Sequence, residues 1–91
     1  MTTITTYELS LLLPHDARFA TTIRDLAVHA AQHAGCGQAK AEAFGRAAEE
    51  LLRACLADSA PGDEVPVVVR RLAGPLELLI DDRVITLDIN P

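Results

Sequence analysis

The stretch that decides the fold runs from residue 38 to residue 58 and reads QAKAEAFGRAAEELLRACLAD. Apolar residues recur in it at steps of three and four, which predicts an amphipathic helix with one buried stripe. The stripe consists of Ala41, Phe44, Ala48, Leu51, Leu52 and Cys55. Gly45 lies inside this helix, where glycine costs up to about 1 kcal/mol relative to alanine. We therefore expect another backbone to pack closely against Gly45.

Two further elements are predicted on the N-terminal side of this helix. Residues Asp16 to Ala34 indicate a first helix, which Asp16 begins and Gly35 and Gly37 end. Its apolar stripe is Phe19, Ile23, Leu26, Ala27, Ala30 and Ala34. Residues Thr3 to Leu13 alternate in polarity and are rich in Thr, Ile and Leu, which predicts a strand that Pro14 terminates.

Three short strands are predicted on the C-terminal side, after a turn over residues 59–63. They span Val65 to Leu72, Leu76 to Ile80 and Val84 to Ile89. Pro66 indicates either that the first of these is an edge strand or that Pro66 lies at the start of the strand. The chain is therefore predicted to be one α+β domain over residues 1–91, a two-layer sandwich in the order β-α-α-β-β-β. Two helices should cover one face of a four-stranded mixed, mostly antiparallel sheet.

The composition excludes several classes of function. Eight basic and 13 acidic residues give the 91-residue, 9.7 kDa chain a net charge of −5, which argues against nucleic-acid binding. Lys40 is the only lysine, so no polybasic membrane patch is expected. Aromatic residues make up 3 %, which predicts a thin core and favours a protein partner or a homodimer. If Val65, Val67 and Val69 faced solvent, they would form a patch that favours dimerisation.

The sequence favours a cytoplasmic location. The N-terminus shows no targeting signal, and no window approaches about 18 consecutive apolar residues. The two cysteines, Cys36 and Cys55, do not form a disulfide framework and are expected to be free thiols.

Three segments together resemble the GHKL ATPases, and within them the anti-sigma-factor serine kinases. Leu13 to Phe19 resembles the entry to the family's first helix, and Ala47 to Ala54 resembles its Glu-x-x-x-Asn box. Leu76 to Asp82 resembles the strand that leads into its Asp-x-Gly box. The resemblance covers roughly four-fifths of the chain and rests on the order and spacing of elements, because no single motif is intact.

The resemblance implies a vestigial nucleotide pocket formed by Glu49, Arg53 and Asp82. Glu49 keeps the acid that activates the acceptor hydroxyl in the family, but Arg53 stands where an asparagine would hold magnesium. A guanidinium has no acceptor atom and cannot ligate a cation, so we hypothesise that Arg53 neutralises Glu49 instead. Asp82 matches the residue that binds adenine, but Val84 replaces the glycine that should follow it. No glycine-rich lid follows before Pro91.

These departures predict a degenerate or truncated GHKL-like domain without phosphoryl transfer, metal or cofactor. Such a pseudo-kinase would act as a regulatory module that binds a protein, for example a transcription regulator, or a second copy of itself. One alternative is a minimal serine kinase or anti-sigma regulatory factor that binds ATP and magnesium. A second alternative is an unrelated small α+β dimeric domain.

Each singled-out residue also has a purely structural interpretation. Glu49 and Arg53 are spaced as a helical i,i+4 ion pair, and Asp81-Asp82 suits a hairpin turn. His29, His33 and Cys36 invite a zinc interpretation, but histidines at the helix surface are more common. Cys55 lies on the buried stripe and is expected to be inert. Of Arg70 and Arg71, only one can face the helices.

Overall fold

The computed structural model describes residues 7–60, 62–71 and 75–88. It contains two helices and four strands in the predicted order. They are β1 (Tyr7–Leu13), α1 (Phe19–His33), α2 (Gln38–Asp58), β2 (Val65–Arg71), β3 (Leu76–Ile80) and β4 (Arg83–Leu87). The predicted starts at Thr3 and ends at Leu72 and Ile89 lie outside the described residues.

The four strands form one sheet in the order β1-β2-β3-β4. The α+β fold class is confirmed, and all three strand pairs are antiparallel, so the sheet of described residues is not mixed. Pro66 does not mark an edge strand, because β2 pairs with both β1 and β3. Its place is the second position of β2, opposite Leu12, so the alternative that Pro66 stands near a strand start is correct.

The two faces of the sheet differ in burial. Val65, Val67 and Val69 are at most 3 % exposed and share a face with the buried residues of β3, which are Leu76, Leu78 and Ile80. The helices lie on this inner face, where α2 contacts β3 and β4, and they leave Leu9 and Leu11 of β1 exposed. The three valines of β2 therefore form part of the core, so the condition under which they would favour dimerisation, exposure to solvent, is not met.

Polar contacts at both ends of α2 fix its direction along β4. Near the start of the helix, Lys40 donates a hydrogen bond to the backbone oxygen of Asp88, just after β4. Near the end of the helix, Arg83 at the start of β4 forms an ion pair with Asp58. The helix and the strand are therefore antiparallel neighbours.

Small residues dominate the contact between α1 and α2. Five fully buried alanines come from the two helices, namely Ala20, Ala27, Ala31, Ala41 and Ala48. A Cβ atom at Gly45 would lie 2.5 Å from Cγ2 of Val28 and 3.0 Å from the backbone oxygen of Arg24. The predicted close approach of a second backbone at Gly45 is confirmed.

The first helix differs from its prediction in its start and in its buried stripe. It begins at Phe19 rather than Asp16, because the Asp16 carboxylate accepts a hydrogen bond from the backbone N–H of Arg18 and forms a turn there. The buried positions are Ala20, Ile23, Ala27 and Ala31. Phe19, Leu26 and Ala30 are only partly buried at the border of the core, because the alanine side of α1 faces α2.

We predict that Gly45→Ala lowers the free energy of unfolding. The gain of about 1 kcal/mol from helix propensity is outweighed by overpacking, which costs about 1–3 kcal/mol. Ala47→Gly is the matched control, because Ala47 is exposed on the same helix and should lose only about 1 kcal/mol through propensity. Denaturant unfolding measures both changes, and a stabilised Gly45→Ala protein would contradict the close packing.

Candidate functional site

The Glu49 carboxylate lies between two guanidinium groups. Arg53 Nη2 is 3.0 Å from Glu49 Oε2, and Arg24 Nη1 of α1 is 3.5 Å from Glu49 Oε1. The Glu49 side chain is 18 % exposed, whereas those of Arg24 and Arg53 are about half exposed at 43 % and 54 %. Each carboxylate oxygen therefore has a cationic partner.

This arrangement bears on the hypothesis that Arg53 neutralises Glu49. The ion pair exists in the predicted i,i+4 geometry, which confirms the structural interpretation. The hypothesis that Arg53 takes the place of a metal ion stays a hypothesis. A carboxylate bound by two guanidiniums has fewer free lone pairs for a proton or a cation. The sequence did not point to Arg24. The spacing of Gly45 and Glu49 by four residues was an available signal, because it places Glu49 one turn beyond the closest helix contact.

Asp82 lies in the tight turn that joins β3 to β4. The turn consists of Asp81 and Asp82, since Ile80 pairs with Arg83. Asp81 has a φ of 58°, a left-handed conformation that aspartate tolerates, and its N–H donates to the Pro66 oxygen at 2.8 Å. The predicted hairpin turn is confirmed, and Asp82 is exposed at its tip.

Side chains fill the space between the C-terminal half of α2 and the β3–β4 hairpin. Cys55 is 5 % exposed, and its Sγ lies 3.7 Å from the backbone oxygen of Ile80. Leu52 is 1 % exposed, and the ion pair between Arg83 and Asp58 links the hairpin to the end of α2.

Glu49 and Asp82 contact different parts of the molecule. Glu49 contacts α1 through Arg24, whereas the residue after Asp82 contacts Asp58. Asp58 lies nine residues after Glu49 on the helix, a rise of about 13 Å. Glu49 and Arg53 lie at the contact between α1 and α2, whereas Asp82 lies at the tip of the hairpin. The structure therefore does not bring the three residues of the predicted pocket together.

The turn before α1 carries a polar contact that sequence reasoning missed. His15 Nε2 lies 2.8 Å from the backbone oxygen of Leu56, in the last turn of α2. A nitrogen–hydrogen donor satisfies one of the carbonyl groups left open at a helix C-terminus. The segment around Pro14, which resembles the family's entry to the first helix, is thus attached to the end of α2.

The described residues contain no group of three or more His, Cys, Asp or Glu side chains that could hold a metal ion. His29 and His33 are exposed on α1, and Cys36 is partly buried. Instead of forming a metal cluster, the two histidines border an open groove of about 700 Å³ between α1 and the edge of the sheet. Leu9, Leu26 and Val69 form the apolar part of its wall.

A second cavity of about 400 Å³ lies between the two helices, on the side away from the sheet. Arg24, Asp25, Glu42 and Arg46 line it, so its charges are balanced. Neither cavity is lined by Glu49, Arg53 or Asp82. Within residues 7–60, 62–71 and 75–88, neither helix has the length and apolar character that crossing a membrane requires.

The two arginines of β2 point to opposite faces of the sheet. Arg71 shares the inner face with Val69, and its Nε is buried without a hydrogen-bond partner among the described atoms. Arg70 lies on the outer face, where its Nε donates to Glu77 Oε1 on β3 at 2.8 Å. The expectation that only one of the two faces the helices is confirmed.

We predict that Cys55 reacts slowly with thiol reagents in the folded protein. Burial raises the pKa of its thiol, and the carboxylates of Asp81, Asp82 and Asp58 raise that pKa further against the opposing effect of Arg83. A raised pKa means less thiolate at neutral pH, and the thiolate is the reactive form. A Cys36→Ser variant isolates Cys55, and timed alkylation followed by mass spectrometry measures the rate.

A Cys55→Ser variant provides the comparison, because it leaves only the partly buried Cys36. Cys36 should react faster than Cys55 in the folded state, and denaturant should make the two rates similar. Equal rates in the folded proteins would show that Cys55 is accessible and would contradict the packing of α2 against Ile80.

Comparison of the chain with protein-family models, with curated proteins and with solved structures found no match.

Proposed function

We propose that this protein is a catalytically inactive relative of the anti-sigma-factor serine kinases, with a GHKL-like fold, that acts as a regulatory protein-binding module. The observation that carries the proposal is the Glu49 carboxylate held between Arg24 and Arg53. In the resemblance, this carboxylate is the group that activates the acceptor hydroxyl, and the position of Arg53 belongs to the magnesium ligand. Here both positions are used in one ion-pair network.

The electrostatics of this network disfavour the family's chemistry. A general base needs a lone pair aimed at the substrate hydroxyl, and both Glu49 oxygens accept from guanidinium nitrogens. A divalent cation needs oxygen ligands and is repelled by the fixed positive charges of Arg24 and Arg53. The surroundings of Glu49 therefore favour a role in the contact between α1 and α2 over a role in catalysis.

The packing of the hairpin supports the same conclusion. A nucleotide base would need space between α2 and the strand that leads to Asp82, and Cys55 and Ile80 are in contact there. Val84 is 53 % exposed and lies on the outer face of the sheet, opposite Leu79. Asp82 has no neighbouring glycine that would let a base approach the backbone.

The proposed partner is a protein. The resemblance implies that this protein is a transcription regulator. The net charge of −5 favours a basic protein surface over a phosphate-bearing ligand. The proposal includes a cytoplasmic location, in keeping with the free thiols of Cys36 and Cys55.

We predict that ATP with magnesium leaves the unfolding temperature unchanged. A ligand at about 100 times its Kd would stabilise the folded state by roughly 2.7 kcal/mol. In a domain of this size, each 1 kcal/mol shifts the Tm by about 4–8 °C, so binding would be obvious. A magnesium-dependent rise in Tm, reproduced by calorimetric titration, would overturn the proposal and favour the minimal ATP-binding kinase.

The variant Arg53→Asn restores an oxygen ligand at the family's magnesium position. We predict that it does not gain ATP binding, because Arg24 still contacts Glu49 and Cys55 still contacts Ile80. Arg46→Asn is the matched control on the same helix, since Arg46 is exposed one turn before Glu49, whereas the Glu49 carboxylate pairs with Arg24 and Arg53. ATP binding by the Arg53→Asn variant alone would show that this single residue blocks the site and that the hairpin packing does not.

A further inference from the structure

The face of the sheet opposite the helices carries a continuous apolar patch. It crosses all four strands and consists of Leu12, Pro66, Val68, Leu79 and Val84, which we call the outer patch. Leu12 is 57 % exposed and Val84 is 53 % exposed. In the strand register, Leu12 is opposite Pro66, and Leu79 is opposite both Val68 and Val84. Ser10 of β1 is opposite Val68, so the row through Val68 is apolar on β2, β3 and β4, and Leu12 extends the patch onto β1 through Pro66.

A charged row borders the outer patch on one side. It contains Glu8, Arg70, Glu77 and Thr86, one residue from each strand. Arg70 and Glu77 lie on the two central strands, and Arg70 Nε is 2.8 Å from Glu77 Oε1. An apolar row beside one paired positive and negative charge is the composition of an interface core with a polar rim.

We propose that the outer patch is the interface of a symmetric dimer, with a second copy of this chain as its occupant. A two-fold axis parallel to the strands, between β2 and β3, places β2 of one copy against β3 of the other. Val68 then faces Leu79 of the partner subunit, and Arg70 faces Glu77 of the partner subunit. The centre of the surface is therefore self-complementary in one apolar contact and one contact between opposite charges. Toward the edges, where β1 faces β4, Val84 faces Ser10 of the partner subunit.

The area available fits a dimer of modest affinity. Strands about 4.8 Å apart and same-face residues about 6.7 Å apart give four strands and three rows a projected face of about 400 Å². Two such faces bury about 800 Å², which is below the roughly 1,000 Å² of a specific, stable interface and fits a weak, transient dimer. We therefore expect association in the micromolar range of Kd.

The dimer extends the proposed function by naming one protein partner, but it does not depend on the loss of ATP binding. The outer patch and the Glu49 network lie on different parts of the molecule, since the helices and the patch are on opposite sides of the sheet. A monomer that does not bind ATP would overturn only the dimer. A dimer that binds ATP would overturn only the proposed function.

The first experiment measures the dimer Kd by sedimentation velocity from micromolar to millimolar protein. Val84→Lys should weaken association by about tenfold or more, because it replaces buried apolar surface with a charge. Leu9→Lys is the matched control, since Leu9 is 44 % exposed on the other edge strand and lies on the inner face. Circular dichroism checks that both variants are folded.

The second experiment tests whether the charged rows of the two copies meet. Arg70→Glu makes this row acidic, Glu77→Arg makes it basic, and each variant alone should dimerise about tenfold more weakly than the original chain. An equimolar mixture of the two variants should regain association, because each acidic row then faces a basic one. Within each variant chain, residues 70 and 77 carry like charges. Any recovered association in the mixture must therefore come from contacts between the two copies.

Three results would overturn the proposal. They are a monomer throughout the concentration range, a dimer that Val84→Lys leaves intact, and a mixture of the charge variants that associates no better than either alone. Loss of association in Leu9→Lys but not in Val84→Lys would assign the interface to the groove beside α1 and would also reject the outer patch.

Discussion

The close approach of α1 and α2 at Gly45 is the constraint on which the described structure depends. A side chain at this position would meet the backbone oxygen of Arg24 at 3.0 Å, so only glycine permits the observed separation. The buried alanines on both helices serve the same purpose along the rest of the contact. A helix made of good helix formers thus includes a residue that weakens it locally, because the gain comes from tertiary packing.

The position of Glu49 follows from that approach. Residues four apart on a helix share a face, so Glu49 meets α1 one turn after Gly45 and contacts the side chain of Arg24. Arg53 continues the series by another turn and contacts the second carboxylate oxygen. One face of α2 therefore changes along its length from a small-residue contact to an ion-pair network. This geometry binds the Glu49 carboxylate from two sides and joins it to the contact between the helices.

The sequence predicted the element order and most boundaries, because alternation, helical spacing and turn residues are local signals. It predicted the role of Gly45, since a glycine inside an otherwise helical pattern is explained best by a close neighbour. It misjudged which side of α1 is buried, because alanines rank below Phe19 and Leu26 in hydrophobicity and yet face α2. It also missed Arg24 and His15, whose partners lie 25 and 41 residues away. Contacts of that range depend on how helices are placed, which periodicity does not report.

The contact between α1 and α2 is thin, and the outer face of the sheet carries exposed apolar residues such as Leu12 and Val84. Alanine side chains bury little area, so the α1–α2 contact contributes less hydrophobic stabilisation than an interface of leucines would. The inner face of the sheet supplies much of the remaining core through Val67, Leu78 and Ile80. In a chain of 91 residues the ratio of surface to volume is less favourable than in a larger domain, so additional apolar burial at an interface would add to stability. The row of Val68, Leu79 and Val84 crosses three strands of the outer face, so burying it would desolvate few polar groups.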